Sequence, residues 1–136
     1  SVVRNLARNI VRGDMDEALK LLQAFLSTVP YCDNTDYEGH YQQMLYVIFS
    51  LLGIYTDVEV HTLKGRVDMV LRTKTTLYLV ELKLNQNAET AMKQIDLQQY
   101  ADRFALCGLP VVKVAINFSA ETRTIADWVI SRETYA

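Results

Sequence analysis

The spacing of apolar positions along this chain changes near residue 54. Before that point they recur every three to four residues, as on one face of a helix. Val2, Val3, Leu6, Ala7, Ile10 and Val11 set the first such pattern, and Gly13 can close it. Asp14 followed by Glu17 reads as a capping box that opens a second helix. Its buried stripe is expected to be Ala18, Leu21, Leu22, Phe25 and Leu26, with Pro30 just beyond its end. The turn-rich segment PYCDNTD, 30–36, leads into a third helix from about Asp36 to Leu52. Tyr41, Met44, Leu45, Ile48, Phe49 and Leu52 face inward there, and Gly53 is the stop.

From residue 54 to residue 84 the period shortens to two or disappears. IYTDVEVHT, 54–62, reads as a strand, LKG as a short hairpin connection, and 66–72 and 77–84 as two further strands joined by TKTT. Asn87 can cap a long helix reaching about Cys107, which GLP then breaks. VVKVAIN, 111–117, is continuously apolar, as in a sheet interior. TIADWVI, 124–130, is expected to be a final strand, although a short helix would also fit. The order ααα–βββ–α–β–β defines an α/β protein, with a sheet core and an N-terminal helical part.

Size and charge narrow the possibilities. At 136 residues the chain is one domain's worth, with 50% hydrophobic and 22% charged residues, which allows a full core. A net charge of −2 argues against a simple electrostatic binder of polyanions. Cys32 and Cys107 form no CxxC pair, and with His40 and His61 alone a structural zinc site lacks ligands; both cysteines are expected to be small buried hydrophobes. No apolar run reaches the length of a membrane span and no signal peptide opens the chain, so a cytoplasmic location is expected. The start at Ser1 suggests a fragment of something longer. Arg4, Arg8 and Arg12 fall at i, i+4 and i+8, which gives a solvated face or a docking surface.

The chemistry is concentrated in LYLVELKL, 77–84. Leu77, Leu79, Glu81 and Lys83 share one face of this strand, and both faces begin apolar, as in a central strand. Asp68 is likewise an acid in apolar company, within VDMVL. If the two strands form a hairpin across TKTT, Asp68 and Glu81 lie at similar distances from the turn. Two carboxylates in a partly dry site repel each other unless a cation separates them. A hard divalent ion such as Mg²⁺ suits such a pair, and Lys83 would then lie near a metal-bound water or a scissile phosphate. The competing reading is a Glu81–Lys83 ion pair with no further role.

Asp68, a hairpin-length gap and then Glu81-Leu-Lys83, with a helix before and a helix carrying Gln94 after, resembles the PD-(D/E)XK nuclease superfamily. YQQMLYVIFSLLG, GRVDMVL, YLVELKL, AMKQIDLQQYAD and VVKVAINFSAETRTIADW resemble the C-terminal nuclease-like domain of bacterial AAA-ATPase-like proteins, over roughly residues 37 to 128. The resemblance implies a restriction-endonuclease-like core, a mixed central sheet flanked by helices. It implies an ATPase domain upstream, for which residues 1–35 would be the junction and 36–136 the nuclease-like domain. No GxxxxGK[ST] phosphate loop occurs in the chain itself.

Carried over by position, Asp68 and Glu81 match the metal-binding acids and Lys83 the active-site lysine. Gln94 matches a glutamine often found on the following helix, and its alternative is a polar residue at a helix boundary. Glu38 matches an acid of the first helix, while Thr35-x-x-Glu38 is also a capping box. GRVD departs from the proline of the superfamily's namesake motif but keeps the acid. Tyr41 and Tyr100 also match family positions, although tyrosines at helical spacing are more often core. Lys64, Arg66, Arg72, Lys74 and Lys83 could contact phosphates. The expected function is a nuclease domain dependent on Mg²⁺ or Mn²⁺, acting on nucleic acid, with DNA expected. The alternative is a catalytically silent module that regulates, or binds partners for, the ATPase.

Overall fold

The computed structural model describes residues 1–29, 38–62, 65–94 and 108–133. Among the described residues four helices, α1 (Val2–Val11), α2 (Met15–Leu26), α3 (Glu38–Leu51) and α4 (Ala88–Gln94), flank five strands. The strands are β1 (Tyr55–Thr62), β2 (Gly65–Arg72), β3 (Leu77–Leu84), β4 (Val111–Ser119) and β5 (Thr124–Glu133). They form one sheet in the order β1-β2-β3-β4-β5. All neighbours are antiparallel except β3 and β4, which are parallel. The sheet is therefore mixed, as expected for this α/β chain. The final segment is a strand rather than a short helix.

The N-terminal helices begin and end where local chemistry dictates. Ser1 Oγ accepts from the Arg4 N–H at 3.2 Å, and Gly13 takes φ 85°, a left-handed value cheap only for glycine. Asp14 Oδ1 accepts from the Glu17 N–H at 3.2 Å, but the capping box is only half made. Glu17 Oε1 turns to Lys20 Nζ at 3.2 Å, and the Asp14 N–H donates to Asn9 O at 2.8 Å.

The buried stripes differ from those expected. On α1 only Leu6 and Ile10 are buried, while Val2, Val3 and Val11 are exposed. On α2 Met15, Ala18, Leu19, Leu22 and Leu26 are buried, Leu21 is half-buried and Phe25 is exposed. The reason is geometric: α2 lies between α1 and β5 and covers a broad arc, whereas α1 is an outer helix with one packed side. On α3 the stripe is as expected, with Tyr41, Leu45 and Phe49 buried and Met44, Ile48 and Leu52 packed beside them.

The main core joins α1, α2 and α3 to one face of the sheet, through Met69, Leu71, Tyr78, Val80, Leu82, Val114, Ile116 and Phe118. Tyr41 stacks on Phe118 with ring centroids 4.5 Å apart, and buried Tyr78 donates its hydroxyl to Ile10 O at 3.0 Å. Tyr41 is thus a core residue; Tyr100 lies outside the described residues. The other face carries Val70, Leu77, Leu79 and Val111, and α4 adds a small-residue contact of Ala88 and Ala91 on Ala115. The long helix expected from Asn87 is described as far as Gln94; its continuation toward Cys107, the loop with Pro30 and Cys32, and LK of the first hairpin lie outside the described residues. Among the described residues no helix is long and apolar enough to cross a membrane.

Candidate active site at the β2–β3 fork

β2 and β3 pair from Arg72↔Leu77 to Met69↔Val80, and there the ladder stops. One further step in this register would set Asp68 against Glu81, on one face of the sheet. A continued ladder would then join the Leu82 N–H to the carbonyl of Val67. Instead, Asp68 Oδ2 accepts from the Leu82 N–H at 2.8 Å. The aspartate side chain replaces a backbone carbonyl at the point where the strands part. Gln42 Nε2 of α3 donates to Asp68 O at 3.0 Å, so the residue is also held from the first helix of the sheet layer.

Both acids are almost wholly buried, Asp68 at 6% and Glu81 at 7% exposure. An isolated buried carboxylate is costly, so such residues are paired, hydrogen-bonded or bound to a metal. Asp68 has one oxygen satisfied by Leu82. Lys83 is half-buried, two residues along β3 from Glu81. Ion pairs join Lys20 to Asp16 and to Glu17 on the surface of α2. Among the described residues Lys83 makes no such pair with Glu81.

The other residues expected at the site are placed less fully. Glu38 is the first residue of α3 and Gln94 the last of α4, and the side chains of both lie outside the described residues, as does Thr35. Of the basic residues near the hairpin, Arg72 lies over the Tyr55 ring at 4.7 Å, and both it and Lys74 are exposed. They sit at the closed end of the hairpin, about 13 Å or more from Asp68 at the usual rise per strand residue. Arg4, Arg8 and Arg12 are exposed along α1.

The donor set can be tested against a divalent ion. It consists of oxygens only, from two buried acids on adjoining strands, which suits a hard cation. Among the described residues no group of three or more His, Cys, Asp or Glu side chains is placed to hold a metal. Two carboxylates with the rest left to water and substrate oxygens is the habit of Mg²⁺ rather than of Zn²⁺. The residues fit such an ion.

Sequence reasoning misses a polar network beside the site. Asn117 pairs with Lys83 across the parallel β3–β4 ladder and is buried at 4% exposure. Its Oδ1 accepts from Gln86 N at 3.0 Å, and its Nδ2 donates to Gln86 O at 3.0 Å and to Asp127 Oδ1 at 2.8 Å. A signal for it exists, since Asn117 and Asp127 are polar residues inside apolar strands, the feature that singles out Asp68.

A mixed five-stranded sheet with flanking helices, and a DX₁₂EXK set at a strand fork, define a nuclease-like protein of the restriction-endonuclease type. Residues 36–128 match the model of the PD-(D/E)XK nuclease superfamily, and the chain belongs to that superfamily. It is also similar to the "Uncharacterized protein in vnfD 5'region" of Azotobacter chroococcum mcd 1, at 29% identity over 128 residues. That similarity covers 89% of this chain but 25% of the relative, so the chain spans about a quarter of the length of the curated relative it matches. Members of the superfamily generally use divalent metals.

Proposed function

We propose that this is a metal-dependent nuclease domain that hydrolyses phosphodiester bonds, with DNA as its substrate. The observation that supports the reading is the Asp68–Leu82 hydrogen bond, which ties one buried acid to the residue that follows the second, Glu81, where the β2–β3 ladder ends. In this reading Asp68 and Glu81 would hold Mg²⁺ or Mn²⁺. When bound, the ion would supply a water of lowered pKa and offset charge on the phosphate.

The chain's own residues do the rest. Gln42 and Leu82 hold Asp68 still from two sides, so little reorganisation is needed when a ligand arrives. Lys83 carries its ammonium on the strand of Glu81, where it can donate to a phosphate oxygen or pass a proton to the leaving group. Glu38, the first residue of α3, and Gln94, the last of α4, are auxiliary site residues in this reading.

A second reading is a catalytically silent module serving an ATPase portion of a longer protein. It is favoured by the net charge of −2 and by the chain spanning 25% of its relative. Cleavage assays on plasmid and single-stranded DNA with Mg²⁺ and Mn²⁺, comparing wild type with Asp68→Asn and Lys83→Ala, decide between them. Metal-dependent cleavage lost in both variants supports the nuclease, and metal binding without cleavage supports the module.

A further inference from the structure

β3 leaves the sheet immediately after Lys83 and Leu84, and the backbone that follows is held at every step. Asn85 turns with φ 56°, donates its N–H to Phe118 O at 2.7 Å, and accepts from Ala120 N through Oδ1 at 3.0 Å. The side-chain amide of Asn117 takes both backbone groups of Gln86, as a neighbouring strand would. Its remaining Nδ2 hydrogen goes to Asp127 Oδ1, and Asp127 Oδ2 accepts from Ala88 N at 2.9 Å, the first residue of α4. Asn87 Oδ1 caps the same helix by accepting from Thr90 N at 2.8 Å.

The register explains why this network lies where it does. Asn117 pairs with Asp127 on β5, and the β4–β5 ladder shifts register between Asn117 and Phe118. Such a shift re-aims side chains and is common beside functional sites. On the other side Asn117 pairs with Lys83, and Ala115, two residues earlier, pairs with Glu81. Ala115 is also the residue on which Ala88 and Ala91 of α4 rest. One amide and one carboxylate therefore connect the end of the Glu81–Lys83 strand to the start of the helix packed over it.

We propose that Asn117, held by Asp127, is a positioning residue for the candidate site. It fixes the 85–88 turn and hence the setting of Lys83 and of α4 relative to Glu81. The assignment rests on the nuclease reading of Glu81 and Lys83. Asn117 touches neither metal nor substrate; it acts through Gln86 and Lys83.

A charge swap tests it. Asn117→Asp removes both Nδ2 donations and sets two carboxylates face to face. Adding Asp127→Asn returns a donor to the pair while still accepting from the Ala88 N–H, so three of the four hydrogen bonds can re-form. Amide hydrogen exchange needs no catalysis. At residues 85–88 it should speed up by about tenfold or more in Asn117→Asp and return toward wild type in the double variant, with β1–β2 amides unchanged. On well-folded samples, metal-dependent kcat should fall by about 10²-fold with KM little changed, and recover to within about tenfold in the swap. Unchanged exchange at 85–88 in Asn117→Asp overturns the proposal. So does full kcat per folded molecule despite lowered Tm, which marks a purely structural network. A wild type that binds Mn²⁺ but cleaves nothing overturns the nuclease reading instead, and exchange then judges whether the turn is held as proposed.

Discussion

The carboxylate of Asp68 accepts the Leu82 N–H at 2.8 Å where β2 and β3 part, so one side chain both ends a ladder and anchors a buried acid. The two roles can be separated by substitution. Asp68→Asn keeps an acceptor for Leu82 and should fold with near-wild-type stability while losing most divalent-ion affinity. Asp68→Ala also leaves a buried N–H unsatisfied and should cost about 1–3 kcal/mol. Thermal melts with and without Mg²⁺ read both effects. Equal apo stability of the two variants would show that the hydrogen bond contributes nothing.

Glu81→Gln removes the charge of one of the two acids proposed to hold the ion and keeps the side chain's size. The variant should still fold without metal. The stabilisation given by Mg²⁺ should shrink with the lost affinity. A metal-induced Tm shift as large as that of wild type would remove Glu81 from the site.

Lys83→Ala bears on the role of the lysine. Cleavage should slow by about 10²-fold or more, the usual effect of losing an electrostatic or proton-transfer group. Metal affinity should change little, since both acids remain. As Lys83 is half-buried at the end of β3, stability should fall by less than about 1 kcal/mol. A loss of about 3–5 kcal/mol with cleavage intact would instead mark a structural ion pair.

The hairpin and its two acids are legible in the sequence because their signals are local. The strands expected at 66–72 and 77–84 are found at Gly65–Arg72 and Leu77–Leu84, and the acid singled out in each, Asp68 and Glu81, is buried. The contact between Asn117 and Gln86 spans 31 residues of chain and depends on the parallel register of β3 and β4, which no local pattern encodes. The outward valines of α1 escape a sequence reading for a related reason. Helical spacing shows that a face can be buried, but only tertiary packing shows how wide that face is.

The N-terminal helices make a separate prediction. Leu22 of α2 is 1% exposed and belongs to the same core as Val114 and Phe118 of the sheet. Leu22→Ala should therefore cost about 2–5 kcal/mol in the unfolding of the whole domain. Urea unfolding followed by tryptophan fluorescence is a suitable probe, since Trp128 Nε1 of β5 donates to Asp16 of α2 at 2.7 Å. A midpoint unchanged from wild type would mean that residues 1–35 act only as a junction.

The central claim is that Asp68 and Glu81 together hold one divalent ion beside Lys83. Anomalous diffraction from crystals containing Mn²⁺ tests it most directly. The account predicts a peak bonded to an oxygen of each acid at about 2.0–2.6 Å, with waters completing the shell. A peak elsewhere, or none at the fork with the two carboxylates turned apart, would contradict it.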